Sequence, residues 1–169
     1  MTLALTKGQT VDLGVVYHFD ENHLHQSVNI RDLFADKRAV VFMGPAPFSK
    51  LDTTQAVDFE STSQAILDQD IDEIIGIYVQ DAFVMREFQE WVHHNGKSNN
   101  VKFYGDGDGF FVKANNLSHD FTFEGLSTRC GRWAFIIKNG IIEYVTVDDY
   151  SLLETTSAAS ILKYLKNET

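Results

Sequence analysis

Residues 39–54 read AVVFMGPAPFSKLDTT and join an apolar run to the start of a predicted helix. The run AVVFM at 39–43 lies between charged residues and Gly44-Pro45, which is typical of a short buried strand. From Asp52 to Leu67, apolar residues recur at roughly helical spacing and predict a helix. A buried strand, a proline-containing loop and a helix in this order indicate a fold of the α/β class.

The residues that follow predict two more strands and one more helix. DEIIGIYV at 72–79 is a second apolar run, rich in isoleucine, and VKFY at 101–104 is a third strand candidate. Between them, DAFVMREFQEWVHH at 81–94 has the apolar spacing of an amphipathic helix, with Asp81 as its N-cap. The glycine-rich GDGDG at 105–109 predicts a loop.

The C-terminal part predicts a hairpin and a closing helix. RWAFIIKNGIIEYVTV at 132–147 contains two strand-like runs around Asn139-Gly140, the preferred pair for a type I′ turn because both residues need positive φ. SAASILKYLKN at 157–167 has helical spacing. The whole pattern predicts a thioredoxin-like α/β fold with a central mixed β-sheet flanked by helices. We expect one domain over residues 1–169, with 1–27 forming an N-terminal extension or strands.

Composition excludes several classes of protein. The 169 residues carry a formal net charge of -10, which disfavours a nucleic-acid partner because such binding needs clustered lysine and arginine. No apolar run approaches the roughly 20 residues that span a bilayer, and no secretory signal is visible. We therefore expect a cytoplasmic protein without a membrane partner. The single cysteine, Cys130, excludes an internal disulfide and a CxxC redox pair.

Four blocks of the sequence resemble the peroxiredoxin five subfamily and the peroxiredoxin domain of bacterial peroxiredoxin–glutaredoxin hybrids. They occur in the order and spacing of that family, from about residue 28 to the C-terminus. The first resembles a strand leading into Pro-Gly-Ala-Phe-Thr-Pro-x-Cys, and the last resembles the segment with the active-site arginine. The blocks are LFADKRAVVFMGPAPFS (33–49), IDEIIGIYVQDAFVMREFQEW (71–91), GDGDGFF (105–111) and GLSTRCGRWAFIIKNGIIEYVTVDD (125–149).

The resemblance implies an oxidoreductase that reduces hydrogen peroxide and organic hydroperoxides with a thiol. In the family, a cysteine in the first turn of the helix ionises because backbone N–H groups and the helix dipole favour an anion. The thiolate attacks the peroxide and becomes a sulfenic acid. A threonine three residues earlier and an arginine from a later strand orient the substrate. A second cysteine, glutathione or a redoxin partner then restores the thiol.

This sequence departs from the family pattern at the nucleophile. By resemblance, Pro45 takes the place of the motif proline, and Ser49 takes that of the threonine. Three residues after Ser49 stands Asp52, where the peroxidatic cysteine belongs; a one-residue deletion would place Leu51 there instead. Arg132 matches the family's active-site arginine. We therefore expect a degenerate, non-peroxidase protein that acts in binding or interaction.

Asp52 has two interpretations. A carboxylate near a helix N-terminus accepts bonds from unpaired amides and gains about 0.3–1 kcal/mol from the dipole, so capping alone explains it. The other interpretation is a ligand-binding or catalytic role beside Arg132, whose charge we expect to keep the carboxylate ionised. Pro45, Ser49, Asp52 and Arg132 would then line a pocket for a peroxide or a small polar ligand.

Cys130 offers an alternative enzyme hypothesis. In an extended segment its side chain would share a face with Arg132, and the nearby arginines, including Arg129, would lower its pKa. A weak or relocated thiol peroxidase would then use Cys130 with Arg132. The competing interpretation is an inert, buried thiol, since unpaired cysteines usually pack as small hydrophobic residues.

The sequence predicts neither a metal nor a cofactor. His23 and His25, with His18 nearby, lack an identifiable third ligand by spacing, and the GDGDG loop lacks the length of a calcium loop. The aromatic residues of the second predicted helix indicate either helix core or the face of a homodimer. They are Phe83, Phe88 and Trp91.

Overall fold

The protein is described by a computed structural model that covers residues 5–167. Its centre is a seven-stranded mixed sheet in the order β2-β1-β5-β4-β3-β8-β9, and β6 pairs with β7 in a separate two-stranded sheet. The strands are β1 (Val15–Phe19), β2 (His25–Asn29), β3 (Arg38–Met43), β4 (Glu73–Tyr78), β5 (Val101–Gly105), β6 (Ser118–Asp120), β7 (Thr128–Cys130), β8 (Arg132–Lys138) and β9 (Ile141–Asp148). The helices are α1 (Ile30–Phe34), α2 (Lys50–Leu67), α3 (Ala82–Gly96), α4 (Phe110–Ala114) and α5 (Ala158–Asn167).

Strand direction follows the connections. β3, β4 and β5 are parallel because α2 and α3 cross over between them, whereas β8 joins β3 antiparallel and continues into β9 through a hairpin. Asn139 and Gly140 have φ of 47° and 78°, as the type I′ prediction requires. The predicted thioredoxin-like fold with a mixed sheet flanked by helices is therefore confirmed.

The sheet separates two hydrophobic clusters. Alternation along β3 sends Val41 and Met43 to one cluster and Val40 and Phe42 to the other. On the α2 side, Phe42 stacks on Phe59 with ring centroids 4.3 Å apart. Because both faces are covered, β3 reads as a continuous apolar run rather than an alternating one.

Some boundaries and elements differ from the sequence prediction. α2 begins at Lys50, two residues earlier than predicted, because Ser49 rather than Asp52 is its N-cap. Asp81 does cap α3, accepting a bond from the Val84 N–H at 2.9 Å. Sequence reasoning missed α4, β6, β7 and the 3-10 turn Thr122–Glu124, all of which lie between residues 110 and 130. These elements are three to five residues long, too short for periodicity to reveal.

The N-terminal strands complete the sheet. β1 and β2 pair along their whole lengths, so residues 15–29 contribute two strands to the sheet, whereas residues 1–4 of the expected N-terminal extension lie outside the described residues. β1 meets β5 in register only at Tyr17 and Gly105, so this part of the sheet is joined at one point. Within residues 5–167, no helix has both the length and the apolar character that crossing a membrane requires.

Candidate functional site

The candidate site lies where β3 ends and α2 begins. Ser49 adopts an extended conformation at the N-cap, and its Oγ accepts a long hydrogen bond of 3.4 Å from the Asp52 N–H. Asp52 is therefore the third residue of α2 and lies within the first turn of the helix rather than at its cap. This position directs the carboxylate back toward the loop that precedes the helix.

The Asp52 carboxylate has three donors. Its Oδ2 accepts bonds from the Ala46 N–H at 3.1 Å and from Ser49 Oγ at 2.8 Å. Its Oδ1 accepts a bond from Arg132 Nη1 at 3.0 Å, and both side chains of this ion pair are only 1% exposed. Of the two candidates for the nucleophile position, the structure brings Asp52 rather than Leu51 into contact with Arg132.

Gly44 makes room for this carboxylate. A Cβ at Gly44 would lie 1.6 Å from Oδ1 of Asp52 and 3.1 Å from Nη1 of Arg132. No side chain fits there without displacing the ion pair, so the glycine at the end of β3 is required by close approach.

All three nitrogen atoms of the Arg132 guanidinium donate hydrogen bonds within the protein. Besides Asp52, its Nη1 donates to Gln55 Oε1 at 2.9 Å, while Nε and Nη2 both donate to the Tyr150 carbonyl at 3.2 and 3.1 Å. Gln55 Nε2 in turn donates to the Thr156 carbonyl at 3.0 Å. The sequence analysis did not assign Gln55 to the site, although its position one turn after Asp52 on the same helix face was a usable signal. The Tyr150 contact uses a backbone atom and left no sequence signal.

Burial dominates the ionisation of Asp52. Loss of solvent raises the pKa of its carboxyl, and the Arg132 charge, the Ser49 hydroxyl and the Ala46 N–H offset this only in part. Burial thus outweighs the Arg132 charge that we expected to keep the carboxylate ionised. The carboxyl binds a proton more readily than an exposed aspartate does.

Cys130 does not share a strand face with Arg132, contrary to the expectation above. It ends β7, Arg132 begins β8, and Gly131 separates the two sheets. The thiol is fully buried in the hydrophobic cluster opposite α2 and donates to the Gly44 carbonyl at 2.7 Å. Burial and then the Asp52 charge raise its pKa to about 12, so the prediction of an arginine-lowered pKa is wrong.

Arg129 is engaged elsewhere, which explains why it does not activate the thiol. Its Nε donates to the Leu126 carbonyl at 3.0 Å, and its Nη1 donates to the Val79 carbonyl at 3.3 Å. These bonds hold the guanidinium against the backbone of the loops around the site.

Tyr78 contributes a buried hydroxyl that has no hydrogen-bond partner within the described residues. Burial raises its pKa well above the usual value, and the charge of Asp52 adds to this effect. Tyr78 was not singled out by sequence analysis, because it lies within the apolar run of β4.

A cavity of about 340 Å³ opens beside the ion pair. Two charged residues line it, Lys50 from α2 and Glu124 from the 3-10 turn, and neither forms an ion pair within the described part of the chain. The cavity brings together Pro45, Ser49, Asp52 and Arg132, as the sequence analysis expected, but leaves out Cys130. Its lining consists of Pro45, Ala46, Ser49, Lys50, Leu51, Asp52, Thr54, Glu124, Leu126, Arg132, Tyr150 and Ser151.

The other candidates form no comparable site. Within the described residues, no three metal-ligating side chains come close enough to hold an ion, and the ring of His18 lies 4.9 Å from that of Tyr104 instead. In α3, Phe88 is fully buried, whereas Phe83 and Trp91 are 59% and 40% exposed. The helix-core interpretation thus fits Phe88 alone.

The chain is similar to known proteins in both sequence and structure. The sequence matches the Redoxin family over residues 15–162, a span that includes every site residue described above. Peroxiredoxin-2D of Arabidopsis thaliana is 30% identical over 162 residues, covering 95% of this chain and 98% of the relative. The hybrid peroxiredoxin hyPrx5 of Haemophilus influenzae is 25% identical over 142 residues, covering 82% and 57% respectively. Reduced Prx3 of Vibrio vulnificus in complex with hydrogen peroxide has a TM-score of 0.86 at 25% identity, covering 95% of this chain and 99% of that one.

Proposed function

Because this chain belongs to the redoxin family and is homologous to peroxiredoxins, we propose that it keeps the peroxiredoxin ligand site but lacks thiol peroxidase activity. The contact between Asp52 and Arg132 supports this proposal most directly. The carboxylate lies in the first turn of α2 and receives a loop N–H from Ala46, a hydroxyl and a guanidinium, which are groups that would also stabilise a thiolate. We therefore assign Asp52 to the position of the peroxidatic cysteine.

A carboxylate in this position changes the chemistry. Peroxide reduction by the family route transfers an oxygen atom to sulfur and forms a sulfenic acid. Asp52 has no sulfur to accept that oxygen, and its carboxylate is a weak nucleophile toward the O–O bond. The site is thus expected to bind a peroxide or another small polar ligand without cleaving it.

The cavity supports a binding role. Its volume of about 340 Å³ suits a small molecule, and Ser49, Thr54 and Ser151 supply hydroxyl groups along its wall. The related Prx3 of Vibrio vulnificus has been solved with hydrogen peroxide, which is the first ligand to test here.

The alternative of a relocated peroxidase based on Cys130 is less well supported. A reactive thiol needs access to substrate and a lowered pKa, whereas this one is fully buried with a pKa raised to about 12. It also lies outside the cavity that holds Arg132.

Peroxide consumption tests the proposal. The chain would be incubated with hydrogen peroxide or an organic hydroperoxide and dithiothreitol, thioredoxin or glutaredoxin as reductant. We expect no turnover above that of Cys130→Ser, and we expect Asp52→Cys to gain turnover because the other groups of the site remain. Turnover by the unmodified chain that is lost in Cys130→Ser would establish the relocated peroxidase instead.

We also propose a homodimer and a redoxin partner for this chain. The exposed Phe83 and Trp91 of α3 offer an apolar surface for a second copy. Light scattering should then show a dimer that Trp91→Lys dissociates, whereas a monomeric unmodified chain would contradict the proposal. A cytoplasmic location remains a prediction of the sequence.

A further inference from the structure

Two segments that form one wall of the cavity carry negative charge only. Residues 117–128, LSHDFTFEGLST, and residues 145–157, VTVDDYSLLETTS, contain five carboxylates and neither lysine nor arginine. Ring contacts join the two segments, since Tyr150 lies 5.2 Å from Phe121 and 5.9 Å from Phe123 between centroids. The segments thus form one continuous surface rather than two separate loops.

One aromatic side chain of this surface is largely exposed to solvent. Phe123 is 64% exposed, the largest exposure among the large hydrophobic side chains of the described residues, while the neighbouring Phe121 is fully buried. Phe121 therefore anchors the segment, and Phe123 is left available. We call Asp120, Phe123, Glu124, Asp149 and Tyr150 the acidic–aromatic rim; of these residues, Glu124 and Tyr150 line the cavity.

Two carboxylates of the rim, those of Asp120 and Asp149, are held by local hydrogen bonds. Asp120 accepts a bond from the Thr122 N–H at 2.8 Å, and Asp149 accepts from the Ser151 N–H at 3.1 Å and its hydroxyl at 2.8 Å. These hydrogen bonds lower the pKa of both carboxyls. The Glu124 N–H donates to the Phe121 carbonyl at 3.0 Å, whereas its carboxylate has no hydrogen-bond or ion-pair partner among residues 5–167, and the residue lines the cavity.

The nearest cations do not neutralise the rim. The guanidinium of Arg129 donates to backbone carbonyls, and that of Arg132 donates to Asp52, so neither is directed at the rim. Lys50 also lines the cavity, and it forms no ion pair with any carboxylate of the residues that the structure describes. The ring of His119 lies 6.2 Å from that of Tyr150, on the same surface.

We propose that the acidic–aromatic rim is a docking surface for an arginine-bearing segment of a partner protein. Guanidinium is the cation that best fits these groups, because it stacks on aromatic faces and pairs with carboxylates through two parallel hydrogen bonds. Phe123 and Tyr150 offer the faces, and Asp120, Glu124 and Asp149 offer the carboxylates. The proposal does not depend on whether the cavity reduces, binds or ignores peroxides.

Binding of a labelled peptide containing arginine and leucine, measured by fluorescence anisotropy, tests the inference. Phe123→Ala and Glu124→Lys should each weaken binding about fivefold or more, since each removes one of the two kinds of contact. Matched controls lie away from the rim: Phe110→Ala removes another exposed ring, and Glu21→Lys makes the same change in net charge at an exposed turn. Both controls should bind the peptide as the unmodified chain does.

Three results would overturn the proposal. Absence of binding at low salt would do so directly. Equal weakening by Glu21→Lys and Glu124→Lys would assign the effect to the net charge of -10 rather than to the rim. Ethylguanidinium binding as tightly as the peptide would indicate a small organic cation as the occupant instead of a protein segment.

Discussion

Gly44 and Asp52 are matched across the end of β3, because the space that a Cβ would take at residue 44 is filled by a carboxylate oxygen of residue 52. The same glycine presents its carbonyl to the Cys130 thiol. One backbone position thus separates the lone thiol from the carboxylate that stands in the helix niche.

This relationship predicts the effect of Gly44→Ala. The added methyl group forces the Asp52 carboxylate away from Arg132, so the free energy of unfolding should fall by about 1–3 kcal/mol. In the background of Asp52→Ala the same substitution should cost much less, because the clashing oxygen is gone. Urea denaturation of the four proteins in this double-mutant cycle measures the coupling. Additive effects would show that the two residues do not compete for space.

Tyr78→Phe should stabilise the protein. The substitution removes a buried hydroxyl that lacks a partner, and leaving such a group unsatisfied costs about 1–3 kcal/mol. We expect the free energy of unfolding in urea to rise by about 1 kcal/mol. Tyr104→Phe is the matched control. Tyr104 is 6% exposed and its hydroxyl is not a buried group without a partner, so this substitution should bring no such gain. A loss of stability in Tyr78→Phe would mean that the hydroxyl does bind a group, such as an internal water molecule.

Asp148 should make the protein sensitive to acid. Burial opposes its ionisation, but the N–H groups of Thr156 and Glu154 and two threonine hydroxyls outweigh it and lower the pKa to about 2. Because the folded pKa lies below the ordinary value of 3.8, the carboxylate stabilises the fold above pH 3.8 and loses this effect as the pH falls toward 2.

Asp148→Asn should therefore lower the free energy of unfolding at neutral pH by about 1 kcal/mol, after allowance for solvent screening. Between pH 4 and 2 its stability should fall less steeply than that of the unmodified chain. Thermal unfolding across this range provides the measurement. Parallel curves for the two proteins would show that Asp148 has an ordinary pKa.

Cys130 should resist alkylation in the folded protein. The thiol is fully buried, and its pKa of about 12 leaves almost no thiolate at neutral or mildly alkaline pH. We expect iodoacetamide to react only in urea, with a rate that follows unfolding. Rapid alkylation of the native chain at pH 8 would contradict both the burial and the pKa.

Most of the architecture is readable from local sequence patterns. β3 and β4 are buried on both faces, so they appear as nearly continuous apolar runs, and Asn139-Gly140 marks the hairpin through its backbone preference. Periodicity fails between residues 110 and 130, where short elements are held by individual contacts. Asp106 shows this, since its buried carboxylate accepts bonds from the N–H groups of Phe111 and Val112 and starts α4.

The site was predictable only in part. Asp52 and Arg132 could be paired because the resemblance to peroxiredoxins supplied a contact across 80 residues of sequence. The environment of Cys130 could not be predicted, because Cys130 and Arg132 are only two positions apart in sequence but belong to different sheets. Local extension predicted a shared face, and the break at Gly131 separated the side chains.

The bonds of Arg132 extend beyond the cavity to the C-terminal helix. The Tyr150 carbonyl accepts hydrogen bonds from Arg132, and the Thr156 carbonyl accepts one from Gln55. Both carbonyls belong to the loop between β9 and α5. A ligand that draws the guanidinium toward itself must therefore release part of this loop. A ligand in the cavity would then loosen the attachment of α5 to the rest of the fold, although α5 itself does not line the cavity.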